Sequence, residues 1–216
     1  LRCKRCKPVK LKKEICLGAD ELQGIGLYFA EGTKYYNPHR RTHHCGEISF
    51  SNSNHQSILK ITKLLNQFGI NNKDLRWRIG LNINLNNTIS SEELTNYWIS
   101  KAHLDKKRIR PNGFYFSGKL GKSLSKNPGK KGCLHIHYAS TILRNVFTSF
   151  ITRKLDESIM EKSKWKSSMI LSGFFAGDGS VTYSKKHNGR QVEFICHDHI
   201  LIEKLRGCLK VLGLKS

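Results

Sequence analysis

The sequence predicts an α+β fold built from a helix–strand–strand–helix–strand–strand–helix unit that runs once in full and then begins again. Three observations predict it. Apolar residues recur at helical spacing in segments that stop at glycine. Other segments alternate apolar and polar residues, as sheets with one buried and one solvated face do, and such sheets are antiparallel. The opening helix and hairpin then reappear 147 residues later. With 216 residues and 38% hydrophobic content, the chain can bury a core.

The first twenty residues form a basic segment with a lone C-x-x-C, Cys3 and Cys6. "ELQGIGLYFAEG", 21–32, is a helix that Asp20 can cap and Gly32 ends. Thr33 to Ser51 is a hairpin whose second strand is "GEISFS", with Ile48 and Phe50 on one face and Glu47, Ser49 and Ser51 on the other. "NSNHQSILKITKLLNQFGI" is an amphipathic helix with a stop at Gly69. In "LRWRIGLNINL", Leu75, Trp77, Ile79, Leu81, Ile83 and Leu85 alternate with Arg76, Arg78, Gly80, Asn82 and Asn84. A helix follows in "SSEELTNYWISKAH", opening as Ser-x-x-Glu or Ser-x-x-Leu, and then a basic, glycine-rich stretch from Lys106 to Gly132. "CLHIHYAS" is a strand with Leu134, Ile136 and Tyr138 inward and His135 and His137 outward. The next helix turns Ile142, Leu143, Val146, Phe147, Phe150 and Ile151 to the core.

Then the pattern restarts. Ser167 or Ser168 caps "MILSGFFAGDG", a hairpin follows with "QVEFIC" as its second strand, and a last amphipathic helix ends at Gly213. Gly26, Ala30, Glu31 and Gly32 match Gly173, Gly177, Asp178 and Gly179 at an offset of 147, whereas Phe50, His55, Lys60 and Gly69 match Phe194, His199, Lys204 and Gly213 at 144. The change of offset falls in the hairpin, where a length change costs little. The organisation expected is therefore a first half over 21–160 and the start of a second over 161–216, cut short at both ends.

Small residues four apart on each motif helix, Gly26 and Ala30 on one, Gly173 and Gly177 on the other, let two backbones approach closely. Pairing the helices on those faces brings Glu31 and Asp178 together at helix C-termini, where the backbone already carries negative partial charge. Each carboxylate raises the cost of the other. A hard divalent cation, Mg²⁺ or Mn²⁺, relieves both effects, and two carboxylates about a metal fit hydrolysis of a phosphodiester.

Lys+Arg is 38 against Asp+Glu 16, a net charge of +22, which points to a polyanionic partner. Arg76, Arg78, Asn82 and Asn84 share one strand face with no acid among them. Arginine suits guanine edges and asparagine adenine edges. His135 and His137 extend that surface. The first hairpin, with Arg40 and Arg41, and the second, with Lys185, Lys186 and Arg190, have the basic and aromatic character of phosphate-tracking loops. "KLGKSLSKNPGKK", with Lys119, Lys122 and Lys131, is a basic clamp rather than a phosphate-binding loop, because Phe116 stands where that loop needs glycine. "HRRTHHC" and "CHDH" lack a fourth zinc ligand, and Cys3 and Cys6 supply half a zinc site. Seven cysteines at irregular spacing argue against a disulfide framework. No signal peptide or membrane-length apolar run is present, so an intracellular location is expected, in cytoplasm, nucleoid or organelle matrix.

"GIGLYFAEG" (24–32) and "LSGFFAGDG" (171–179) resemble the two copies of the signature motif of the LAGLIDADG homing endonucleases. The first copy departs at Gly24, where leucine is usual, and carries Glu31 where aspartate is commoner. The resemblance implies two αββαββα halves, saddle-shaped antiparallel sheets on the DNA major groove, and cleavage across the minor groove with one motif acid and a divalent metal per strand. It implies a pseudo-symmetric monomer on a long double-stranded site, with a basic residue such as Lys119, Lys122 or Lys131 assisting. Intron RNA binding by a maturase, or a DNA-binding regulator on the same scaffold, is the alternative. The intact acids Glu31 and Asp178 favour cutting, although a fragment without most of its second sheet is expected to be inactive alone.

Overall fold

The computed structural model describes residues 11–33, 46–81, 90–116, 132–184, 189–194 and 196–214. Helix α1, Ala19–Glu31, is entered from Gly18, whose backbone N–H donates to Glu21 Oε2 at 3.0 Å. Asp20 therefore lies in the first turn rather than at the cap, and it pairs instead with Lys63. Strand β1 (Glu47–Asn52) leads to helix α2 (His55–Gln67), capped by Asn54, whose side chain accepts from Gln56 N at 2.9 Å. The apolar stripe of α2 is fully inside: Ile58, Ile61, Leu64 and Leu65 are all buried, and Phe68 beyond it. Gly69 closes it with φ 74°, a left-handed conformation that glycine adopts without penalty.

Strand β2 (Arg76–Leu81) buries Trp77 and Ile79 as its alternation requires. Helix α3 (Ser91–Ala102) starts from Ser90, and the Ser-x-x-Glu register holds: Glu93 N donates to Ser90 Oγ and Ser90 N to Glu93 Oε2. A single 3₁₀ turn, Lys106–Arg108, then opens strand β3 (Ile109–Phe116). This strand lies inside the stretch read as a basic, glycine-rich connection. Pro111 and Gly113 interrupt its pattern and conceal its β propensity. Strand β4 (Cys133–Ala139) and helix α4 (Thr141–Met160) complete the first unit.

The sheet order is β1-β4-β2-β3. The pairs β1–β4 and β4–β2 are antiparallel, but β2–β3 is parallel. An all-antiparallel sheet is thus corrected, and so is the plain αββαββα order. Helix α3 is a crossover that returns the chain to the end where β2 began, so the next strand must run the same way. Helix α3 and strand β3 are an addition at the sheet edge.

Helix α4 buries Leu143, Phe147, Ile151 and Leu155, a single column at spacing four. Ile142 (71% exposed) and Val146 (41%) occupy the column one residue behind and face outward, contrary to the inward set expected. Tyr138 on β4 is only half-buried.

Helix α5, Lys164–Asp178, starts earlier than expected. Its cap is Ser163, and Ser167 is a fully buried residue inside the helix, donating to Ser158 O at 3.4 Å. Strands β5 (Gly179–Ser184) and β6 (Gly189–Phe194) form an antiparallel hairpin, and helix α6 (His199–Val211) follows with Asp198 as its N-cap, accepting from Leu201 N at 3.1 Å. Where both are described, the starts α1–β1–α2 and α5–β6–α6 correspond. Gly32 bridges to Phe50 as Gly179 pairs with Phe194. Helices α2 and α6 both run 13 residues from a histidine, and the glycines beyond them, Gly69 and Gly213, have φ of 74° and 77°.

Candidate functional site at the helix seam

Helices α1 and α5 cross with their backbones in contact, and the glycines make this possible. A Cβ on Gly26 would lie 1.9 Å from Ile170 O, and one on Gly173 would lie 1.9 Å from Gln23 O. Each glycine thus meets the carbonyl three residues before the other, a reciprocal contact of the kind a two-fold axis generates. One helical turn on, a Cβ on Gly177 would come within 2.5 Å of Ala30 Cβ and 3.1 Å of Glu31 Cγ. All four small residues read from the sequence, Gly26, Ala30, Gly173 and Gly177, therefore face the seam. Phe174 fills the flank, fully buried, while Phe175 is half-buried.

Both helices end on their acids. Glu31 is the last residue of α1 and is exposed; Asp178 is the last of α5 and is half-buried. Each is followed by an extended glycine whose N–H returns to the carbonyl four residues back, Gly32 to Tyr28 and Gly179 to Phe175. A Cβ on Gly32 would strike the Tyr28 ring at 2.6 Å, and one on Gly179 the Phe175 ring at 2.3 Å. The same aromatic lid over the same glycine thus fixes each chain exit just beyond its carboxylate. Both carboxylates sit among the last carbonyls of two helices, the negative ends of their dipoles.

The first acid also borders the sheet. Burial, and secondarily the Glu31 charge, push the Cys133 thiol up to about 12. Cys133 begins β4 and alternates onto the polar face with His135 and His137. The strand register lines up Ser49, His137 and Arg76 in one row and Ser51, His135 and Arg78 in the next. Arg76 is exposed and Arg78 half-buried.

The histidines do not stand outward as expected. His137 is 6% exposed, its ring 3.6 Å from Glu47 Oε1. It stacks beside His135 with centroids 6.5 Å apart. His135 hydrogen-bonds Ser51 and is held down to about 4 by burial, by Arg78 and by His137. They lie in the strand between β1 and β2, beside Ser49 and Ser51 on one side and Arg76 and Arg78 on the other. They act as the spine of the two rows, and the arginines are the accessible part.

Arg40, Arg41, Asn82, Asn84, Lys119, Lys122, Lys131, Lys185 and Lys186 lie outside the described residues, as do Cys3 and Cys6. Arg190 is on β6, its Cα paired with Tyr183. Among the described residues, no group of three or more His, Cys, Asp and Glu could hold a metal, and the described cysteines Cys16, Cys133, Cys196 and Cys208 are free. No helix among them is long and apolar enough to cross a membrane. Sequence reasoning missed the Tyr28 and Phe175 lids, although they match at the same offset as the glycines. It also missed the cations of the 3₁₀ turn before β3.

Residues 165–216 match the model of the LAGLIDADG-like domain family. The matched segment holds the second motif, the second hairpin and α6; the first motif, 24–32, lies outside it. The match supports the LAGLIDADG family, one of homing endonucleases and maturases that bind DNA. No curated protein and no solved structure matches the chain.

Proposed function

We propose that this chain is part of a site-specific, metal-dependent DNA endonuclease of the homing type, with Glu31 and Asp178 as its catalytic carboxylates. The observation that carries the reading is the reciprocal seam. The Gly26 and Gly173 contacts mirror each other, and the two acids end the two helices just beyond Gly177 and Ala30. Two carboxylates on a pseudo-two-fold axis suit two strands of opposite polarity.

The donor set fits Mg²⁺ or Mn²⁺. It offers hard carboxylate oxygens with neither histidine nor thiolate in a cluster among the described residues, so water and phosphate oxygens complete the shell. Bound there, the cation would lower the pKa of a water and offset charge on the leaving oxygen. Glu31 and Asp178 would hold it and orient the attacking water. The water oxygen bonds to phosphorus, the bond to the 3′ oxygen breaks, that oxygen takes a proton, and a 5′ phosphate remains. The polar sheet face, with Arg76 and Arg78, lies on the duplex, with His135 and His137 beside the arginines on the neighbouring strand. Arg190 is on β6, the counterpart of β1 in the first unit.

The second unit supports a pseudo-symmetric molecule completed outside these residues. Val192 is 64% exposed where its counterpart Ile48 is 2% exposed, as expected of a sheet face that further strands cover. The test is plasmid cleavage by the full open reading frame that contains this segment. Mg²⁺-dependent double-strand cutting, reduced at least a thousandfold by Glu31→Gln or Asp178→Asn, is the expected result (roughly 4 kcal/mol of barrier). Tight intron-RNA binding with no cutting would replace this reading by the maturase one.

A further inference from the structure

The addition at the sheet edge carries charge that the seam and the central row do not account for. We infer that helix α3, the 3₁₀ turn Lys106–Arg108 and strand β3 form a second, sequence-independent phosphate-binding edge. It extends the duplex contact beyond the central sheet. The inference rests on the proposed DNA-binding reading and deepens it.

Two features make this edge more than a solvated charge run. The first is that its cations are clustered. Lys73, Lys101, Lys106, Lys107 and Arg108 have no ion pair among the described residues, a state shared by Lys12, Lys13, Lys60, Lys162, Lys164 and Lys210, but among those residues only Lys106, Lys107 and Arg108 put three such cations in succession. The nearby acids are engaged with backbone or side-chain amides: Asp105 accepts from Lys107 N at 2.9 Å, and Asp74 from Asn71 Nδ2 at 3.4 Å. Cations crowded on one turn repel one another in the free protein and are relieved by a polyanion.

The second feature is rigidity and alignment. Trp98 and Ala102 of α3 are fully buried. Asn72 Nδ2 donates to Ala102 O at 3.0 Å, and Trp77 Nε1 donates to Asp105 O at 2.9 Å, tying the turn to β2. Trp77 pairs with Ile109, so the turn Lys106–Arg108 enters β3 beside the start of β2, at the end of the sheet where Ser49, His137 and Arg76 line up. Lys106 and Lys107 are exposed on that turn. Cations fixed on a docked turn lose little freedom on meeting phosphate. Lysine and arginine contacts to phosphate position a duplex without reading its sequence.

The experiment is a salt titration of binding to a random-sequence 40-bp duplex by fluorescence anisotropy, on the full open reading frame. A Lys106→Gln/Lys107→Gln/Arg108→Gln variant should lower the slope of log K against log [salt] by about 2 to 3, one unit for each phosphate no longer neutralised. Its melting temperature should stay unchanged, since none of the three side chains belongs to the buried core. Lys210→Gln, on α6, should leave the slope alone. An unchanged slope in the triple variant, with wild-type binding intact, overturns the inference while sparing the endonuclease reading. A reduced slope in a protein that never cuts DNA sustains the edge and overturns the nuclease. Salt-dependent binding seen only with single-stranded RNA overturns the edge as a duplex site.

Discussion

The starts α1–β1–α2 and α5–β6–α6 share a skeleton where both are described, but not a burial pattern. Ile48 and Ile70 of the first are 2% and 1% exposed; their counterparts Val192 and Leu214 of the second are 64% and 54% exposed. Yet Leu64 and its counterpart Cys208 are both fully buried, as are Ile61 and Leu205. The difference extends to Ile202, Leu209 and Leu212, half-buried where their counterparts Ile58, Leu65 and Phe68 are buried. Where α1 and α5 meet, the two units are alike down to the carbonyl each glycine touches. The site thus depends on the part that is duplicated, and stability depends on the part that is not. The seam acids end the two motif helices, just beyond small residues that face each other across the seam.

The comparison is broken most strongly at the seam itself. Gly26→Leu and Gly173→Leu each drive a side chain into a backbone carbonyl, and each should cost more than about 4 kcal/mol or abolish folding, read by chemical denaturation. Equal losses from both would show that the contact is reciprocal in solution; a benign Gly173→Leu would show that α5 does not dock. Next in size is the contrast of sheet faces. Ile48→Ala should cost about 2–4 kcal/mol in urea, whereas Val192→Ala should cost less than about 0.5, because its methyls are already in water. Similar costs at both would mean that the second face is covered in solution.

Acid should sharpen the row of the first unit, which has no counterpart among the described residues of the second. His135 is depressed to about 4, so the unfolded chain takes up its proton first as pH falls. Stability from this group is full above about pH 6.5 and falls by up to roughly 1.4 kcal/mol per pH unit until about pH 4. His135→Gln should flatten that part of the pH–stability curve. The smallest effect is expected at the helix ends. Gly213→Ala meets no atom within 4 Å but sits at φ +77°, so it should cost about 1 kcal/mol from backbone conformation alone. Gly69→Ala, at the matching turn, should cost about as much through φ.

Much of this was legible in the chain because it depends on local spacing. The alternation Leu75, Trp77, Ile79 marked β2, the stripe of α2 marked its buried face, and Gly69 and Gly213 marked where helices stop. The glycine and acid pattern located the seam, because only residues without bulk permit backbone contact. Other features were illegible for equally physical reasons. Pro111 and Gly113 hid β3. Ser163, not Ser167, caps α5, because capping is decided by which serine is free of the core. Ile142 and Val146 look like core residues, but a helix buries only the column its neighbours reach. His135 and His137 look like outward ligands in an alternating strand, but the sheet sets them between lateral neighbours on β1 and β2.

The sequence by itself determined the periodic elements, the repeated motif, the excess of positive charge and the two helix-terminal acids, since each follows from the order of residues along one segment. Only the tertiary structure decided that β3 runs parallel at the edge and that imidazoles lie beside arginines. It alone showed which glycine meets which carbonyl and left one of two matching faces open. Those are relations between segments far apart in the chain, and they are fixed by packing, which no local pattern encodes.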